Sequence, residues 1–267
     1  MLKQIITPAE AENIKKIFSG CKNVVICTHT SPDGDAIGSS LGLWHYLKSL
    51  GKNPTIIVPN YFPDFLRWME GADKIIQYDR NRTLSKAIIN SADLICCLDF
   101  NSLSRIDDLA TPLHYSKAKR LMIDHHLNPE KFCDITISRP DSSSTCELLF
   151  RLLTSIGATD RIKRNAAECI YAGMCTDTGG FTYNSNDPDI FVIISELMRK
   201  GIDKDLIYRK IYNNYTESRY RLMGHILKEK LQVFPETHSS LFAITKEELS
   251  EYHYLKGDAE GIVNMPL

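Results

Sequence analysis

The chain has 267 residues, 43% apolar and 24% charged, with 32 basic residues against 33 acidic ones for a formal charge of −1. That length allows a sizeable core and one or two domains. Without a basic excess, extended binding to long duplex nucleic acid is disfavoured, and no run approaches the roughly eighteen apolar residues of a membrane span.

Met1-Leu2-Lys3-Gln4 leads into a helix start rather than a secretory apolar core. Thr7 can cap, Pro8 suits the first turn and Glu10 completes a capping box, so a helix runs to about Ser19-Gly20. Asn23 to Thr28 is a continuous apolar, β-branched run and predicts a buried strand. Pro32-Asp33-Gly34-Asp35 is a turn. Ala36 to Leu50 then carries apolar residues at helical spacing and stops at Gly51. Further strands are predicted at Thr55 to Val58, Lys74 to Gln77, Asp93 to Leu98, Arg120 to Ile123 and Ile135 to Ile137, with a helix over Leu84 to Asn90.

Helices follow at Ser144 to Ile156, Lys163 to Cys175, Asp189 to Lys200, Lys204 to Tyr212 and Glu217 to Leu231. In the third of these, Ile190, Ile193, Ile194 and Leu197 form a core stripe. Late strand signals sit at Leu231 to Phe234 and Ser240 to Ile244. The alternation of strands and helices predicts an α/β domain with a mostly parallel sheet covered on both faces. The expected division is a catalytic domain over 1–190, a helical connection over 191–230, and the start of a smaller α+β domain over 231–267. That last unit is too short to bury an adequate core and reads as incomplete. The eight cysteines show no Cys-x-x-Cys pair and lie mostly in apolar elements, as expected of buried reduced thiols in a cytoplasmic protein.

Four short segments carry the chemistry: His29-x3-Asp33-x-Asp35, Leu98-Asp99, Asp124-His125-His126 and Asp177-Thr178-Gly179-Gly180. Three follow predicted strands, and ligands of open parallel sheets bind beyond the carboxyl ends of strands. Singly, each has an ordinary reading, such as a helix cap at Asp35 or Asp99, or turn chemistry at Asp177. Together, Asp33, Asp35, Asp99 and Asp177 supply four negative charges, which two divalent cations would balance; left alone they would repel. His29 and His125 add neutral nitrogen ligands. Asp99, alone at a central strand end, is the natural bridge. Mixed carboxylate and imidazole ligation favours manganese, with magnesium, cobalt or zinc as alternatives, and a two-ion site suits phosphoester hydrolysis.

These segments resemble, in order, the four motifs of the DHH phosphoesterase superfamily, whose naming triplet stands here as Asp124-His125-His126. The resemblance covers about residues 20 to 185 and implies a doubly wound catalytic domain with two manganese ions. Position by position, it implies that His29, Asp33 and Asp99 hold one ion, and Asp35, Asp99, His125 and Asp177 the other. His126 would face the substrate phosphate as a catalytic imidazole, with Asp124 behind it as an orienter.

Within the superfamily the chain is most similar to the bacterial nano-RNase and pAp-phosphatase branch. Arg105, six residues after Asp99, stands where that branch keeps a basic residue, and suits a phosphate clamp as well as an ordinary surface charge. Ser142-Ser143-Ser144-Thr145-Cys146-Glu147 resembles its serine-rich helix entry, although Ser143, Ser144 and Thr145 fit capping better than substrate contact. Glu260-Gly261-Ile262-Val263-Asn264 resembles its C-terminal substrate domain, but the glycine-rich Gly-Gly-Gly-His segment expected beyond it is not in the sequence. The implied substrates are short single-stranded RNA, dinucleotides and pAp, with no membrane partner and a homodimer left open. Tyr208, Tyr212, Tyr215 and Tyr220 read as core or interface more than as a base-stacking platform. Rival readings are an inorganic pyrophosphatase, a hydrolase of cyclic-dinucleotide breakdown products, and a non-catalytic nucleotide-binding module.

Overall fold

The computed structural model describes residues 2–213, 216–255, 258 and 262. They form two compact units, Met1–Ile211 and Tyr212–Leu267. The first is built on strands β1 (Asn23–Cys27), β2 (Asn53–Val58), β3 (Ile76–Gln77), β4 (Leu94–Leu98), β5 (Lys119–Asp124) and β6 (Ile135–Ser138). All pair in parallel, in the order β3-β2-β1-β4-β5-β6. This is the doubly wound α/β arrangement that the alternating pattern predicts. Its order reverses between β1 and β4, which leaves a crevice at the carboxyl ends of those two strands.

β4 is buried at every position, because helices cover both faces of the sheet. One core gathers Val25, Cys27, Ile95 and Cys97 with Ile89 of α3 (Arg82–Asn90) and Leu113 of α4 (Ala110–Tyr115). Ahead of the sheet, α1 (Pro8–Gly20) starts with the expected capping box of Thr7 and Glu10. No two of the eight cysteines are joined by a disulfide. No described helix is long and apolar enough to cross a membrane.

Three helices carry the remaining weight: α2 (Gly34–Ser49), α5 (Thr145–Ser155) and α6 (Arg164–Asp177). α2 is buried almost all round, as expected of a core helix. It packs along α6, with α5 against both. A Cβ at Gly38 would stand 2.5 Å from the Cys169 carbonyl oxygen, so these backbones touch only because position 38 has no side chain. The same approach places Asp35, in the first turn of α2, beside Gly173 of α6.

The boundary near 190 gives way to one after Ile211. α7 (Pro188–Arg199) packs on α5 and α6 and buries Ile190, Ile193, Ile194 and Leu197 there, so it belongs to the first unit. α8 (Lys204–Tyr212) buries Ile207 and Ile211 and runs to the division itself. In the second unit, α9 (Glu217–His225) passes into a π-helical turn, Ile226–Lys230, where the Leu231 N–H donates to the Ile226 carbonyl at 2.9 Å. The expected straight helix to Leu231 therefore ends early. β7 (Gln232–Phe234) and β8 (Ser239–Leu241) form an antiparallel pair, and α10 (Lys246–Glu251) opens on a capping box. Among the described residues of this unit, Leu222, Ile226 and Ile262 form a buried cluster. Tyr215, Glu260, Gly261, Val263 and Asn264 lie outside the described residues.

Gly38→Ala should cost about 1–3 kcal/mol through overpacking of α2 on α6. Thermal or urea unfolding checks this, with Gly20→Ala as the control, since a Cβ at Gly20 meets nothing within 4 Å.

Candidate metal centre

The ends of β1 and β4 lie side by side, with Cys27 registered on Cys97. His29 follows the first and Asp99 the second, so both enter the crevice where the strand order reverses. Asp33 is the N-cap of α2 and accepts from the Ala36 N–H at 3.0 Å. The cap is thus Asp33, and Asp35, two residues on in the first turn, is left facing the crevice. Asp124 ends β5, His125 and His126 follow it, and Asp177 ends α6.

The six predicted ligands converge. His29, Asp33 and Asp99 form one group of donor atoms all within 4.8 Å of one another, and Asp35, His125 and Asp177 form a second. Asp99 stands between them. Its Oδ2 is 3.3 Å from His29 Nε2, and its Oδ1 is 3.6 Å from His125 Nε2. His125 Nε2 is also 3.3 Å from Asp177 Oδ2. Asp99, His125 and His126 make a third, overlapping group. Asp99 adopts a φ of 62°, a left-handed value uncommon outside glycine that persists where surroundings over-determine it. Downstream of Asp177, Gly179 and Gly180 both take positive φ, so the α6 exit turns sharply there.

The imidazoles are oriented by backbone carbonyls. His29 Nδ1 lies 2.8 Å from its neighbour's carbonyl, that of Thr30, and His125 Nδ1 lies 3.1 Å from the carbonyl of Ser142. A carbonyl only accepts, so each Nδ1 carries a proton and each Nε2 is aimed at carboxylates. A neutral Nε2 lone pair facing carboxylate oxygens is repulsive unless a cation lies between them or the ring is protonated. The donor set therefore fits divalent cations, and carbonyl-held histidines are the usual arrangement of metal ligands.

The charges say the same. Burial would lower the His29 pKa, but the bonds and charges of Asp33 and Asp99 overcome it and raise it to about 10. Burial likewise opposes, and the bond to Asp177 with the charges of Asp35 and Asp99 outweighs it, so His125 also rises to about 10. Burial, then repulsion from Asp99 and Asp177, pushes Asp35 well above the usual carboxylate range. Asp177 rises to about 6, chiefly by burial, with His125 opposing. Burial opposes the shift at Asp33, but the His29 bond and the Ala36 N–H hold its carboxyl below the ordinary value.

His126 sits apart from the two main groups. Its Nδ1 and backbone N–H both engage the fully buried Asp124, each at 2.8 Å. Asp124 thus stands behind His126. His125, His126 and Arg105 line a cavity of about 760 Å³ with Asn101, Leu127, Pro140, Asp141, Ser142, Asn184, Asn186, Asp187 and Ile190. The Arg105 loop is latched to the ligand loop: the Thr30 N–H donates to the Arg105 carbonyl at 2.7 Å, and the Thr30 hydroxyl to Asp107 at 2.8 Å. Arg105 makes no ion pair among the described residues.

The serine-rich turn divides its labour. Ser144 caps α5, accepting from the Glu147 N–H at 3.0 Å, and Ser143 donates its N–H and hydroxyl to Glu147 at 2.7 Å each. Thr145 does not cap: its hydroxyl donates to Asp99 at 3.0 Å. The carbonyls of Thr30 and Ser142 that orient the histidines carry no signal in the sequence, because every residue possesses such a group.

Residues 23–174 match the family model described as DHH family, N-terminal domain, which is more than half of the chain. The chain belongs to the DHH family. A crystal structure titled an exopolyphosphatase-related protein from Bacteroides fragilis is 54% identical, with a TM-score of 0.96, covering 99% of this chain and 78% of that one. A protein of Streptococcus mutans named probable bifunctional oligoribonuclease and PAP phosphatase NrnA is 25% identical over 246 residues, 91% of this chain and 73% of its own. Its namesake in Thermus thermophilus is 28% identical over 208 residues, 76% of this chain and 58% of its own.

Because His29 and His125 are raised to about 10, both are protonated at pH 7 in the metal-free protein, and a cation must displace those protons. Divalent-metal affinity should therefore climb with pH up to about 10, with at least two protons released at pH 7, those of His29 and His125, because Asp35 is raised as well. Calorimetric titration in buffers of different ionisation enthalpy measures the release; heats independent of buffer would count against this protonation pattern.

Proposed function

We propose that the chain hydrolyses phosphoester bonds of short oligoribonucleotides, and the 3′-phosphate of pAp, with two divalent ions, manganese by preference. The observation that carries the reading is the 760 Å³ cavity that runs from His125 and His126 past Arg105. In it, metal-type donors, a free guanidinium and nucleoside-sized walls share one space.

His29, Asp33 and Asp99 would hold one ion, and Asp35, Asp99, His125 and Asp177 the other. When bound, such ions neutralise phosphate charge and make water a nucleophile near neutral pH. The protein's own groups supply the rest. Arg105, unpaired among the described residues, offers a planar fork of donors to a phosphate. Asp124 holds Nδ1 of His126, which leaves Nε2 as the nitrogen able to give or take a proton at the leaving oxygen.

The walls favour a nucleoside over a phosphate chain. Leu127, Pro140 and Ile190 are apolar, Asn184 and Asn186 are amides, and Asp141 and Asp187 are acidic. One arginine against two carboxylates disfavours pyrophosphate and longer polyphosphates, whatever the name of the 54% identical relative. Dinucleotides such as pApA, products of cyclic-dinucleotide breakdown, fit the same walls and form a second substrate of the same chemistry.

A manganese-supplemented assay of pAp, pApA and pyrophosphate tests this. Turnover of the first two and little of the third is expected; pyrophosphate as the preferred substrate by kcat/KM would overturn it. Arg105→Ala should raise KM about tenfold, the loss of one charge-assisted contact, with kcat changed less. Asp99→Asn should lower kcat by more than the roughly 100-fold seen when a metal ligand loses its supporting partner.

A further inference from the structure

We propose that Thr145 is a positioning residue whose hydroxyl sets the orientation of Asp99, so that one carboxylate oxygen serves each group of donors. This rests on the two-ion reading above and extends it to a residue outside both donor groups.

Thr145 is fully buried at the first position of α5. At the first position of a helix there is no preceding helical turn to offer the hydroxyl a carbonyl. Here it reaches across the fold and donates to Asp99 Oδ1 at 3.0 Å. Capping does not need it, because Ser144 fills that place. The same residue donates its backbone N–H to Asp35 Oδ2 at 2.6 Å, and the Cys146 N–H reaches Asp35 Oδ1 at 2.8 Å. One residue thus holds the buried carboxylates of Asp35 and Asp99, one through its side chain and one through its backbone.

The hydroxyl matters because the terminal torsion of an aspartate is soft and two-fold. Unheld, the Asp99 carboxylate could turn and exchange its oxygens. Held at Oδ1, it presents that oxygen to His125 at 3.6 Å and keeps Oδ2 toward His29 at 3.3 Å. The donor itself cannot drift. Glu147 grips the turn through Ser143, and its other oxygen accepts from Arg151 Nε at 2.7 Å. Arg151 is anchored in turn to Asp189 at 3.0 Å. The left-handed backbone of Asp99 is the kind of strain that such over-determination sustains.

The test compares wild type with Thr145→Val, which keeps shape and backbone N–H but loses the hydroxyl, and Thr145→Ser, which keeps the hydroxyl. Manganese titration followed by calorimetry and electron paramagnetic resonance gives stoichiometry and affinity, and thermal unfolding of the metal-free proteins reports folding separately. Thr145→Val should weaken manganese binding roughly 10- to 100-fold and lower kcat on pAp more than it raises KM, while Thr145→Ser recovers both. Two manganese ions bound by Thr145→Val with wild-type affinity overturn the proposal. So does a loss of binding that Thr145→Ser fails to restore. Manganese binding without turnover of any nucleotide by the wild type would sink the proposed reaction, while the titration still decides the role of Thr145.

Discussion

Four carboxylates crowd one crevice, and like charges cannot share a buried space unless something positive answers them. Asp35 and Asp99 are almost fully buried, and Asp33 and Asp177 stand within reach of the same two histidines. The rest of the first unit is arranged around that constraint. The amino end of α5 turns two N–H groups on Asp35. Carbonyls of Thr30 and Ser142 turn the imidazoles so that Nε2 faces inward. Such an arrangement is costly without cations and well satisfied with them, which is why the donor chemistry is a stronger argument than any single residue.

The topology supplies the meeting place. Parallel strands deliver their carboxyl ends to one edge, and the reversal of order between β1 and β4 opens that edge. Asp35 enters from the first turn of α2, and Asp177 from the last turn of α6. Asp177 reaches the crevice because α6 lies against α2, and that contact depends on the missing side chain of Gly38. Packing far from the chemistry therefore sets the distance between donor groups. The cavity beside them adds Arg105, held by its own loop rather than by an ion-pair partner among the described residues.

Much of this was legible in the residues. Val24-Val25-Ile26-Cys27 and Leu94-Ile95-Cys96-Cys97-Leu98 are continuous apolar runs, and both are central strands. A two-faced burial leaves that trace and little else does. Three of the four metal-type segments were legible because they follow such a run, whereas Asp177 ends a helix. The segment Leu103–Leu109 was not, since its 3₁₀ turns break at Asp107, with φ 45° and ψ −135°, and short turns have no apolar period. The place where the first compact unit ends was not legible, because a helix that packs back on its own unit has the same stripe as one that leaves it. Thr145 was visible as a hydroxyl beside a helix start, but only the three-dimensional fold brings Asp99 to it.

The most direct measurement is anomalous diffraction at the manganese edge from crystals grown with the metal. Two peaks should appear, one among His29, Asp33 and Asp99 and the other among Asp35, His125 and Asp177, with Asp99 touching both. A single peak, or peaks away from these side chains, would contradict the two-cation account of this crevice.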